Sequence, residues 1–183
     1  MTALGFRLVS GLLALFVNVT FPLQRSEQFT VFGSTSPFWD TFARCDSGYF
    51  QGIAWGGYSP VPGGRSNIAY FPVYPLLMRA VARLFGRQHA IFYISGIGIS
   101  WLCFILAMVA LYYLARLDLP RRRAERAALL TMIFPFSFFY GVAYSESTFL
   151  LFACSRSTAF ARGIGWSVAC AAGSRPPRAS PAS

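Results

Sequence analysis

The stretch Ala90-Ile91-Phe92-Tyr93-Ile94-Ser95-Gly96-Ile97-Gly98-Ile99-Ser100-Trp101-Leu102-Cys103-Phe104-Ile105-Leu106-Ala107-Met108-Val109-Ala110-Leu111-Tyr112-Tyr113-Leu114-Ala115 holds no charged residue and stops at Arg116. As a helix it would reach about 39 Å, more than the roughly 30 Å of a bilayer's hydrocarbon core. It reads as a membrane span. The rest of the composition agrees. The 183 residues are 55% hydrophobic and only 12% charged, about half the charge of an average soluble domain. All 16 basic residues are arginines, against 6 acids, for a net charge of +10. They gather near span ends and in the tail, which points to anionic lipid headgroups and not to nucleic acid.

Two further spans flank this one. Residues 4–23 are apolar apart from Arg7 near their start, and no small-x-small cleavage site follows. They read as a retained first helix and not as a removed signal peptide. After the quoted span comes Arg116-Leu117-Asp118-Leu119-Pro120-Arg121-Arg122-Arg123-Ala124-Glu125-Arg126. Five arginines in so short a connector mark the cytoplasmic side. Residues 24–88 then face outward; the arginines there (Arg25, Arg44, Arg65) sit in a long loop and count for less. A third span is expected from Ala127 toward Phe152. Pro135, Gly141 and the polar patch Tyr144-Ser145-Glu146-Ser147 interrupt it. A break near residues 141–145 is expected, giving two helical pieces around a re-entrant or exposed turn. The expected fold is therefore all-α: polytopic transmembrane helices with a long outer loop that contains short amphipathic helices.

That outer loop carries the chain's least ordinary text. It includes Trp39-Asp40, then Asp46-Ser47-Gly48-Tyr49-Phe50, Gly57-Tyr58, and Ala69-Tyr70-Phe71-Pro72-Val73-Tyr74-Pro75-Leu76-Leu77. Gly33, Pro37, Gly56-Gly57, Pro60 and Pro62-Gly63-Gly64 punctuate it as turns. Residues 47–55 fit a short helix. In residues 73–87, Leu76, Leu77, Ala80, Val81, Leu84 and Phe85 recur at helical spacing, with Arg79, Arg83 and Arg87 on another face. That is an amphipathic helix suited to the membrane interface, or a charged lead-in to the span.

Candidate chemistry rests on few groups. Asp46 can act as a general base on a hydroxyl, or simply cap the helix that follows it. Glu146 lies in apolar surroundings, where an acid is either functional or paired with an arginine. Arg79 and Arg83 can grip a phosphate with their forked donors, or snorkel to the interface. Tyr49, Tyr70 and Tyr74 are the candidates to line a substrate; an interfacial aromatic belt is the alternative. The four cysteines and the single His89 show no metal-ligand spacing. No phosphate loop, nucleophile elbow or dinucleotide fingerprint is present. No cofactor is specified, and a divalent-metal requirement is left open.

These residues resemble the PIG-V (GPI mannosyltransferase) family and its bacterial relatives. The likeness runs through Phe42-Ala43-Arg44-Cys45-Asp46-Ser47-Gly48-Tyr49-Phe50 with Ile53-Ala54 and Gly57-Tyr58. It continues through Asn67-Ile68-Ala69-Tyr70-Phe71-Pro72-Val73-Tyr74-Pro75-Leu76-Leu77-Met78-Arg79. A third match is Phe134-Pro135-Phe136-Ser137-Phe138-Phe139-Tyr140-Gly141 with Tyr144-Ser145-Glu146-Ser147. The resemblance implies a GT-C membrane glycosyltransferase with a polyprenyl-phosphate sugar donor and a lipid or glycan acceptor. It implies mannosyl transfer with inversion on the outer face of a plasma membrane. Asp46 maps onto the family's loop acid and Glu146 onto the acid of its Ser-Glu-Ser patch. Cys45 departs from the family's usual Trp. Family members are much longer, so residues 1–154 are expected to be the N-terminal part of such an enzyme, whose activity as a fragment is open. Residues 155–183, rich in Ser, Ala, Arg and Pro, are expected to be a disordered or frameshifted tail. The rival readings are a non-catalytic membrane subunit or scaffold whose outer loop binds a partner, and a transporter-like protein with Glu146 in a polar pathway.

Overall fold

The computed structural model describes residues 2–21, 37–43, 46–60 and 66–162, and every regular element among them is helical. Gly33, Pro62-Gly63-Gly64, Arg25, Arg44, Cys45, Arg65 and the tail beyond Arg162 lie outside the described residues. The elements are α1 (Thr2–Thr20), a single turn α2 (Pro37–Asp40), α3 (Ser47–Gly56), α4 (Val73–Phe85), α5 (His89–Ala115), α6 (Arg121–Ile133), a 3₁₀ segment (Pro135–Gly141) and α7 (Glu146–Ala161). Two of them, α1 and α5, are long and apolar enough to cross a membrane by length and composition.

Helix α5 is the axis, and α1, α3, α4, α6 and α7 all pack on it. Helix α4 runs antiparallel along its His89 half. Tyr74, at the start of α4, reaches Gly96 and Ser100, while Gly86, just past its end, lies against Ile91. Gly96 makes this approach possible. A Cβ there would stand 2.9 Å from the Met78 side chain and 3.1 Å from the Tyr74 hydroxyl. Small residues that let helix backbones close on each other are the usual device of helix packing in lipid.

The buried face of α4 differs from the one the hydrophobic periodicity marks. Tyr74, Pro75, Met78 and Ala82 are buried. Leu84 and Phe85 are 80% and 73% exposed, and Leu76 is exposed as well. The large apolar stripe stays exposed, and the smaller, hydrogen-bonding face meets α5. In water the larger stripe would have been buried; a lipid-facing helix has no such drive.

Beyond Ala115 the chain turns back. Helix α6 climbs antiparallel to α5, with Ala128 and Met132 against Phe104, Met108 and Ala3. It begins at Arg121, earlier than the Ala127 read from hydropathy. Arginine is a good helix former, and Arg121 pairs with Glu125 one turn on, at 2.8 Å. The helix stops at Ile133, because Pro135 forces Phe134 out of the helical region (φ −59°, ψ 133°). After the 3₁₀ segment, α7 runs parallel to α5, with Thr148 beside Cys103 and Thr158 beside Ala110 and Tyr113. Helices α6 and α7 thus enter and leave at the Arg116 end of α5. The expected break in the third apolar stretch is present, starting at Phe134 and ending at Glu146, and the two pieces form a helical hairpin.

Candidate active site

The reversal at the top of that hairpin meets the outer loop. The Ala143 amide donates to the Phe42 carbonyl at 2.8 Å. Phe42, Ala43, Val142 and Ala143 share a buried cluster with Tyr93 and Ile97 of α5. This junction lies a few residues before Asp46 on one strand of the chain and just before Glu146 on the other.

Asp46 occupies the N-cap position of α3. Its carbonyl accepts from the amides of Tyr49 (3.0 Å) and Phe50 (3.3 Å). Its side chain makes no capping hydrogen bond, and the residue is exposed. Of the two roles open to it, the capping position is filled by the backbone, and the carboxylate stays uncommitted to that task. Asp40, the other acid of this region, is buried. Glu146 is the first residue of α7. The charge of Asp46 acts on its carboxyl. The two carboxylates therefore stand within electrostatic reach of each other.

A hydrogen-bonded chain fixes the segment that carries Glu146. The Tyr74 hydroxyl lies 2.9 Å from the Gly96 carbonyl and 2.9 Å from the Ser100 hydroxyl. Ser100 donates onward to the Tyr144 carbonyl at 3.1 Å. Two protons serve three contacts, so the cluster is tightly coupled. Trp101 donates its indole N–H to the Gly141 carbonyl at 2.9 Å, and Ser147 donates to the Tyr140 carbonyl. Helix α5 thus grips the polar break through Ser100 and Trp101. Neither was singled out from sequence, although a serine or an indole N–H inside an apolar span needs a partner and so signals a contact.

The two candidate arginines have different surroundings. Arg79 donates through Nε to the Ala54 carbonyl (2.6 Å) and through Nη2 to the Ile53 carbonyl (2.9 Å). It closes the last turn of α3, where orphan carbonyls and the helix dipole favour a cation. Arg83 is exposed on α4. The tyrosines divide as well. Tyr49 and Tyr70 stack on each other at 5.1 Å with an interplanar angle of 17°. Tyr74 lines a cavity of about 410 Å³ together with Phe71, Tyr140, Glu146, Thr148 and Phe149. That cavity is mostly apolar with one acid at its wall. Among the described residues, no group of three His, Cys, Asp or Glu stands ready to hold a metal.

Comparison with known proteins adds one match. The description "Mannosyltransferase (PIG-V)" fits residues 6–172. No curated protein and no solved structure matches the chain. The family match takes in α1, the outer-loop helices, the broken hairpin and both carboxylates, and on that ground the chain belongs to the PIG-V family of membrane mannosyltransferases.

Proposed function

We propose that the site performs an inverting displacement at the anomeric carbon of a polyprenyl-phosphate-linked mannose, on the outer face of the membrane. Asp46 takes the proton from an acceptor hydroxyl. The acceptor oxygen attacks the anomeric carbon from the face opposite the phosphate. The bond to the donor phosphate breaks, and the lipid phosphate leaves with the electron pair. Glu146 orients the acceptor beside Asp46 in the cavity that Tyr74 and Tyr140 line. The observation that supports this reading is that the segments just before the two acids are tied by the Ala143–Phe42 hydrogen bond, which brings Glu146 within electrostatic reach of Asp46.

The orientation follows from charge. The five arginines between α5 and α6 lie at the Arg116 end, which the positive-inside rule places in the cytoplasm. Asp46 opens α3, which packs on α5 and whose Trp55 stacks on His89 at 4.0 Å, so the acids belong with the opposite, outward end. Arg79 holds α3 and with it Asp46; exposed Arg83 is a surface cation for headgroups.

The test is transfer of radiolabelled mannose from polyprenyl-phosphate mannose in membranes that carry the chain. Asp46→Asn is expected to lower transfer by at least about 100-fold, the scale of a lost general base, with the protein still present in the membrane. Wild-type turnover by that variant would sink the role of Asp46. Transfer from a nucleotide-linked mannose alone would sink the donor.

A further inference from the structure

Arg7 is buried in the bundle with 1% of its surface exposed, and none of its Nε, Nη1 and Nη2 atoms has a hydrogen-bond partner. A guanidinium normally binds through five N–H groups. This one lies over the Phe104 ring, 3.7 Å from its centroid, which offsets only part of the lost hydration. Its place is built and not accidental. A Cβ on Gly141 would stand 2.8 Å from Nη1, so that glycine leaves room for the cation. Gly141 ends the 3₁₀ segment, directly after Tyr140, which stacks on Phe104 at 5.7 Å and lines the Glu146 cavity. The guanidinium is within electrostatic reach of the Tyr140 hydroxyl.

A buried cation without an anion is costly in a protein interior and more so at membrane depth. Glu146, the acid of the neighbouring cavity, feels the charge of Asp46. The cavity thus has one acid at its wall, a second acid whose charge reaches the first, and a positive charge behind the Tyr140 wall. Such polarity suits a substrate whose hydroxyl partner meets the acids while its anionic leaving group faces the cation. We propose that Arg7 is the cation that holds a lipid-linked phosphate in the Tyr140–Glu146 cavity, with the Tyr140 hydroxyl between them. The idea rests on the transfer reaction proposed above, and it names the leaving-group side of that site. Charge in a low-dielectric wall acts over several ångströms without direct contact.

The measurement is thermal unfolding of the purified full chain in uncharged detergent. The added probes are a polyprenyl monophosphate, the uncharged polyprenol, or phosphatidylglycerol. The phosphate is expected to raise the wild-type midpoint and the polyprenol is not. Arg7→Met is expected to weaken this phosphate binding by at least about tenfold, Arg7→Lys by less, and Arg83→Met not at all. Without any probe, Arg7→Met is expected to unfold at a higher temperature than wild type, because it removes an unpaired charge. A merely structural arginine would give the reverse. An equal rise with phosphatidylglycerol, lost in Arg7→Met, keeps the cation and assigns it to bilayer headgroups. No phosphate-dependent rise in wild type, or a full rise in Arg7→Met, overturns the proposal. If Arg7→Met does not fold, Arg7→Lys decides, since loss of all phosphate response with the charge kept overturns it too. Asp46→Asn is expected to keep the phosphate response while losing transfer, so the two readings fail separately.

Discussion

Arg79 and Arg7 are the same side chain in opposite circumstances. Arg79 sits between α3 and α4 with its fork spent on the Ile53 and Ala54 carbonyls. Around it Gln51 meets His89 at 2.7 Å, and Asn67 bridges Ser59 and Gly57, while the buried Ser47 hydroxyl of α3 finds no partner among the described residues. Arg7 sits between α1 and the helical hairpin with all three nitrogens idle. Donor satisfaction, and not residue type, separates a cation that builds the fold from one left over for a ligand. By that measure Arg79 is scaffold, and the hairpin top holds an unspent cation.

The comparison breaks most visibly at Arg79. If that residue is scaffold, Arg79→Met strands the Ala54 carbonyl at the end of α3, leaves the Ile53 carbonyl with only the Gly57 amide, and removes two charge-assisted hydrogen bonds. A loss of about 2 kcal/mol of stability is expected, with transfer falling because α3 carries Asp46 at its start. Arg79→Lys is expected to restore little, since a point charge does not replace the fork. Unfolding midpoints and transfer rates of both variants are the measurement. Unchanged stability with lost phosphate response would make Arg79 a ligand after all and dissolve the contrast with Arg7.

Sequence reading reached the helices more easily than the contacts between them. Span α5, the short helix after Asp46 and the break in the third apolar stretch were all legible, because hydropathy, a turn-rich loop and Pro135 act locally. The buried face of α4 was not. Hydrophobic periodicity ranks Leu84 above Ala82, yet in lipid the small residue faces the neighbour and the large one faces outward. The employment of Arg79 and the idleness of Arg7 were equally hidden. An arginine's letter carries no record of which carbonyls lie in reach. Asp46 and Glu146 stood out as acids in odd places, and the family likeness named both, but their proximity depends on the hairpin folding back to Phe42.

A smaller effect sharpens the scaffold half. Tyr74→Phe keeps the ring packed against Phe50 (centroids 5.2 Å apart) and removes only the hydroxyl. The Gly96 carbonyl keeps its place in α5, and Ser100 can still donate to Tyr144. One buried contact is lost and one acceptor partly stranded, so about 1 kcal/mol is expected. Ser100→Ala is expected to cost a similar amount and, combined with Tyr74→Phe, to add less than the sum, because the two hydroxyls share protons. Full additivity in a double-mutant cycle would mean that the three contacts are independent and that α5 does not hold the Glu146 segment through this chain.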